Sequence, residues 1–155
     1  MTTDTDHPET PEVPTFERTT CACPSCVRCC KEQPGPLAPG QIATIAAYLQ
    51  KPVRDVLTLF WASPGALVKS LATGKRWMIG TITPRMRNGR CVFLDADDRC
   101  RIHPVAPFGC SHYDTHMPEA EWTRRGMWLY RAIEDDPEYQ SIRATLAPAT
   151  SWRPR

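Results

Sequence analysis

Residues 21–30 read CACPSCVRCC, and this run decides how the rest of the chain is read. It holds Cys21, Cys23, Cys26, Cys29 and Cys30, five of the eight cysteines in 155 residues. Its core, Cys23-Pro24-Ser25-Cys26-Val27-Arg28-Cys29-Cys30, contains two overlapping C-x-x-C pairs with one further thiol adjacent. A C-x-x-C turn lets two sulfurs converge on one ion while backbone N–H groups point at them. Such hydrogen bonds, with positive charge from Arg28 and Lys31, favour the thiolate over the thiol. Neighbouring residues point apart, so Cys29 and Cys30 do not serve one ion identically: one bridges, serves a second ion or stays free.

Outward from the run, the composition says which chemistry those thiols serve. Hydrophobic residues make up 41% and charged residues 23%, enough for one small domain with a modest core. Sixteen prolines force many turns. No run approaches the roughly 18 apolar residues of a membrane span. The opening MTTDTDHPETPEVP has neither a basic nor an apolar segment, so no signal peptide is readable. A reducing, cytoplasmic setting follows as the expectation, where clustered thiols bind metal more often than they form disulfides. Residues 1–20 carry five carboxylates and one arginine, leaving +6 on the rest of a chain of net charge +2. They are read as a disordered acidic leader, 21–147 as the folded domain and 148–155 as a flexible tail.

Periodicity supplies the elements. Ile42, Ile45, Ala46 and Leu49 form a helical stripe over Gln41–Gln50. Val53, Val56, Leu57 and Phe60 continue it in a second helix from Pro52, ended by Ser63-Pro64-Gly65. RWMIGTI (76–82) is rich in strand formers. CVFL-DADD-RCRI (91–102) reads as two strands around an acidic turn, with Phe93 opposite Cys100 and Cys91 opposite Ile102. Alternation then puts Cys91 and Cys100 on one face. Helices are expected again from Pro118, with Trp122, Leu129 and Ile133 on one face, and from Asp136-Pro137. The fold class is α+β: a small, mostly helical, metal-stabilised domain with one β-hairpin.

Cys91, Cys100 and Cys110 form the distal set, with Gly109 permitting unusual backbone just before the last. Together the three parts resemble the YkgJ-type cysteine-cluster family, named for its CxxCxxCC motif. The resemblance runs from Cys23–Cys30, through the helix at Gln41–Leu49, to GRCVFLDADDRCRIHPVAPFGC at Gly89–Cys110. It implies a zinc- or iron-chelating domain with a metal or iron–sulfur site built from both cysteine groups, though eight cysteines could instead hold two ions. Relatives of this family are occasionally fused to flagellin lysine methylases, but this chain has no glycine-rich cofactor loop for methyl transfer. It has Ala106-Pro107 and Cys110-Ser111 where the family usually has Arg-Pro and Cys-Arg.

The expected metal ligands are therefore Cys23, Cys26, Cys29, Cys91, Cys100 and Cys110, then Cys30, with Cys21 last. All-thiolate ligation suits an iron–sulfur cluster or zinc. The run also resembles the start of a ferredoxin-type C-x2-C-x2-C sequence, which tilts the reading to the cluster, with electron transfer or redox sensing as its use. The alternative is a structural zinc module contacting a protein or, less favoured, nucleic acid through the eight basic residues between Lys69 and Arg101. A third is an accessory domain delivering metal to an enzyme in trans. His103, His112 and His116 are read as surface or hydrogen-bonding side chains rather than ligands. Cys110-Ser111-His112-Tyr113-Asp114 has the letters of a thiol hydrolase, but catalytic groups converge in space rather than along consecutive residues. Asp95, Asp97 and Asp98 form a turn, not a calcium loop, since Arg99 takes the next ligand position.

Overall fold

The computed structural model describes residues 16–19, 21–69 and 73–150. Six helices and two antiparallel strand pairs follow in the order α1 (Pro24–Glu32), α2 (Gln41–Leu49), α3 (Val53–Leu57), β1 (Phe60–Lys69), β2 (Arg76–Pro84), β3 (Met86–Arg87), β4 (Arg90–Cys91), α4 (Phe108–Ser111), α5 (Glu119–Glu134) and α6 (Pro137–Ala144). The α+β class with a mostly helical make-up is as expected. The hairpin is elsewhere.

The main hairpin is β1 with β2. The helix expected to run to Ser63 stops at Leu57, where Thr58 Oγ1 turns back onto the Asp55 carbonyl at 2.6 Å. From Phe60 the chain is extended and pairs with β2, Phe60 opposite Pro84 and Lys69 opposite Arg76. The helical stripe misled because it marks only that Phe60 is apolar; Phe60 is fully buried, packed on Phe93 with ring centroids 5.5 Å apart. Pro64-Gly65 does not end the element but forms a bulge inside it, between the Ser63–Thr81 and Ala66–Ile79 pairs. Gly65 has φ +91°, and a Cβ there would lie 1.5 Å from the Ile79 carbonyl oxygen, so glycine alone fits.

The acidic segment expected to be a hairpin of two strands is a compact loop. Cys91 pairs with Met86 through β4 and β3. A single bridge joins Leu94 to Cys100, one residue out of the expected register. Asp95 Oδ1 accepts from the amides of Asp97 and Arg99 at 2.8 and 3.0 Å, closing the turn locally. Asp98, at φ +60°, points its carboxylate at Lys31 (2.8 Å) and Arg90 (2.6 Å), tying the loop to α1. These groups are a third exposed, so solvent screens both pairs and they position the loop more than they stabilise it.

The core lies between α2, the hairpin, α5 and α6, with Leu37, Ile45, Val56, Ile82, Ile102, Leu129 and Ile133 all almost inaccessible to solvent. Leu129 and Ile133 face inward as expected, whereas Trp122 is 41% exposed. Tyr139 of α6 donates to the Leu37 carbonyl and accepts from the Ile82 amide, both at 2.9 Å, so its hydroxyl satisfies two buried backbone groups. Asp136 caps α6 through the Glu138 amide.

The chain ends are partly built in. Phe16 is buried edge-on against Phe108 and Trp128. Arg18 reaches the His103 and Pro104 carbonyls, and Arg125 donates to the Glu17 carbonyl. Residues 16–19 thus pack on the body, because the aromatic side chain of Phe16, two residues past Pro14, finds an apolar slot. The rest of the expected leader, 1–15 and 20, lies outside the described residues. Of the expected tail, Pro148 and Ala149 lie along β1, with the Ala149 amide on the Ala62 carbonyl at 2.9 Å; residues 151–155 lie outside the described residues.

Candidate metal centre

The cysteine run is a helix, not a pair of turns. Cys23 caps α1 from an extended conformation, and Pro24 takes the first helical position, where its missing N–H costs nothing. Helical periodicity of about 100° per residue puts Cys23 and Cys30 on one side of Cys26 and Cys29 on the other, each within about 60° of it. One stripe of α1 therefore carries sulfurs along its length, and the tertiary structure sorts them into two groups.

The first group forms at the N-terminal end of α1. The ligand atoms of Cys21, Cys23, Cys26 and His116 all lie within 4.8 Å of one another. Cys23 Sγ is 3.2 Å from His116 Nε2, and Cys26 Sγ is 3.2 Å from Thr115 Oγ1. His116 is fixed by its own amide, which donates to Asp114 Oδ1 at 2.9 Å. The Cys26 backbone amide and then the His116 ring hold the Cys23 thiol down to about 6, while the Cys23 sulfur pushes His116 upward. A tetrahedral zinc site with Zn–S of about 2.3 Å needs sulfurs roughly 3.8 Å apart. The observed donors meet that with small side-chain adjustments, and three sulfurs with one imidazole form a usual zinc donor set.

The second group lies deeper. Cys30 of α1 faces Cys110 of α4, and that sulfur contact brings the Cys30 thiol down to about 7 against the opposing effect of burial. Cys110, half-buried, is pushed far up by the same contact and then by burial. Burial pushes Cys91 up to about 11, and Cys100 upward as well. Cys30 acts electrostatically on both, so the four sulfurs share one region. The approach of Cys110 depends on two glycines: a Cβ on Gly35 would sit 2.2 Å from the Gly109 carbonyl carbon. That crossing lets the Gly35 amide donate to Cys110 Sγ at 3.0 Å.

The expected ligands fall into two groups. Cys30 joins Cys91, Cys100 and Cys110; Cys23 and Cys26 join Cys21 and His116. Cys29 belongs to neither group but lines a cavity with Cys26, Cys30 and Cys110. Cys91 and Cys100 come near each other because the chain doubles back after β4, not because they share a strand face. His116 is the ligand candidate that sequence reasoning discounted. It lies 93 residues from Cys23, and the only sequence signal was a histidine beyond the last cysteine, weak by itself.

A small domain whose soft donors converge from segments distant in the chain is, as a class, a metal-chelating domain. The chain belongs to the CxxCxxCC family, described as "Putative zinc- or iron-chelating domain", whose model matches residues 22–132. No curated protein and no solved structure matches it. No described helix is long and apolar enough to cross a membrane.

Proposed function

We propose that the protein is a zinc-binding domain in which Cys21, Cys23, Cys26 and His116 hold one Zn²⁺. One observation carries this reading: four soft donors, gathered from residues 21–26 and from a loop some 90 residues on, lie within 4.8 Å of each other. Bound zinc would supply folding free energy by cross-linking these segments, since the site has no counterpart in the unfolded chain. A closed three-sulfur, one-nitrogen set leaves no ligand position for substrate, so the role is structural or metal-handling rather than hydrolytic. A reducing, cytoplasmic compartment is the setting that would keep these thiols available.

An iron–sulfur cluster with an electron-transfer or redox-sensing role is the second reading. What favours it is the all-sulfur group of Cys30, Cys91, Cys100 and Cys110, of which Cys91 is buried and the other three half-buried. Anaerobic purification followed by metal and sulfide analysis with a visible spectrum decides between the two. The zinc reading expects colourless protein with stoichiometric zinc, lost in His116→Ala. Brown protein carrying iron and acid-labile sulfide overturns it in favour of the cluster.

A further inference from the structure

The donor set of Cys21, Cys23, Cys26 and His116 brings three thiolates to one divalent ion, so the sulfurs keep a net negative charge. The cations of α1 do not face that charge. Arg28 is paired with Glu32 at 3.1 Å and Lys31 with Asp98 at 2.8 Å. The first turn of α1 serves Cys23 rather than Cys26: Pro24 has no N–H, the Cys26 amide faces the Cys23 sulfur, and the Val27 amide donates to the Cys23 carbonyl at 3.0 Å. Cys26 is supported from another part of the chain. As a thiolate it has no proton to give, so Thr115 donates to Cys26 Sγ twice, from its hydroxyl at 3.2 Å and from its amide at 3.5 Å.

The stretch Ser111–His116 lies against the other ligands too. Thr19, two residues before Cys21, donates its amide to the Ser111 carbonyl at 2.8 Å and its hydroxyl to the Tyr113 carbonyl at 3.3 Å. Asp114 Oδ1 accepts from the His116 amide at 2.9 Å, and the His116 ring reaches Cys23 Sγ at 3.2 Å. One short stretch thus steadies the approach to Cys21, touches Cys26 and supplies the imidazole.

We propose that Thr115 is a positioning residue of the zinc site: its two bonds to Cys26 Sγ hold the turn that carries His116 against α1, so the fourth ligand stands at the thiols before the ion arrives. The proposal rests on the zinc reading above and names the residue outside the ligand set on which the affinity of that site depends. A sulfur bound to one zinc ion keeps lone pairs for both bonds, so the clamp persists in the loaded site. Hydrogen bonds to an ionised acceptor are roughly twice as strong as neutral ones, and loss of such an outer partner costs about 10–100-fold in metal affinity. The Thr115 side chain is exposed, so removing its hydroxyl leaves the core untouched.

The full chain, reduced and metal-free, is compared as wild type, Thr115→Val and Thr115→Ser, with circular dichroism verifying each fold. Zinc affinity is read by NMR from the His116 ring protons, which report this site alone and are assigned by their absence from His116→Ala. Cobalt(II) gives the second readout, because its sulfur-to-metal charge-transfer band follows the electron density on the sulfurs. Thr115→Val keeps the side-chain shape and the amide but loses the hydroxyl. It is expected to bind zinc about 10–100-fold more weakly, with the cobalt band at longer wavelength, since a sulfur that loses a hydrogen bond gives up its electron more easily. Thr115→Ser, which retains the hydroxyl, should match wild type in both. Thr115→Val equal to wild type in either readout overturns the positioning role, and so does Thr115→Ser as weak as Thr115→Val. Failure of the zinc reading looks different: the wild-type His116 ring protons would not respond to zinc at all, and both proposals would fall. Thr115→Ala, run in parallel, covers a folding defect specific to valine.

Discussion

Replacing His116 with alanine tests whether the imidazole governs the Cys23 sulfur. In the metal-free protein Cys23 titrates near 6, held down first by the Cys26 amide and then by the His116 ring. About nine-tenths of it is therefore thiolate at pH 7, against roughly one in a hundred for a thiol left near 9. Loss of the ring removes the second influence and leaves the first. The midpoint should rise, yet stop short of the ordinary thiol value because the amide at the start of α1 remains. The assay is alkylation by iodoacetamide across pH 4–10, with fragmentation mass spectrometry locating the label among Cys21, Cys23 and Cys26. The quantity to read is the midpoint, not the plateau: lower basicity also weakens the nucleophile, by about 20-fold over three units. Wild-type labelling of Cys23 should rise around pH 6, and that of His116→Ala at distinctly higher pH. Coincident profiles would show that the ring does not touch the sulfur in solution, and the group of Cys21, Cys23, Cys26 and His116 would lose its fourth member.

Other expectations are simpler to state. Tyr139→Phe orphans the Leu37 carbonyl and the Ile82 amide. At about 1–3 kcal/mol for each unsatisfied buried group, the loss should come to roughly 2–6 kcal/mol, read from the urea midpoint. Gly109→Ala places a Cβ 2.2 Å from Pro36 Cδ and 2.6 Å from its nitrogen, so that variant should lose the native fold and cooperative melting. Gly40→Ala, with φ +81° but nothing within 4 Å, should lose only about 1–2 kcal/mol. Saturating zinc at about 100 times its dissociation constant should stabilise the wild type by about 2.7 kcal/mol, seen as a higher melting temperature. Acidification should reverse this gain, because falling pH protonates the thiolates and the imidazole that the ion requires. A melting temperature indifferent to zinc and to pH would count against any metal at this site.

Much of the local structure could be read from the chain because it depends on near neighbours. The Ile42–Ile45–Ala46 stripe, the proline start of α5 and the Asp136 cap of α6 are settled within one or two turns. The hairpin was misplaced for an equally physical reason. Phe60 and Val56 satisfy a helical stripe, but the pairing of Phe60–Lys69 with Arg76–Pro84 gives the same side chains a sheet partner that a local window does not contain. In the acidic loop, the side chain of Asp95 closes the turn on its own amides and shifts the register by one residue.

Sequence alone determined that this chain carries clustered thiols suited to a soft metal, since residue type sets donor chemistry whatever the fold. It determined too that early and late cysteines belong to one domain. Which sulfur meets which was decided only in three dimensions. That choice depends on α1 being helical, on two glycines crossing without side chains, and on a loop that carries His116 back to Cys23. These are contacts between segments far apart in the chain, where the energy of one pairing depends on all the others, and no spacing along the sequence records it.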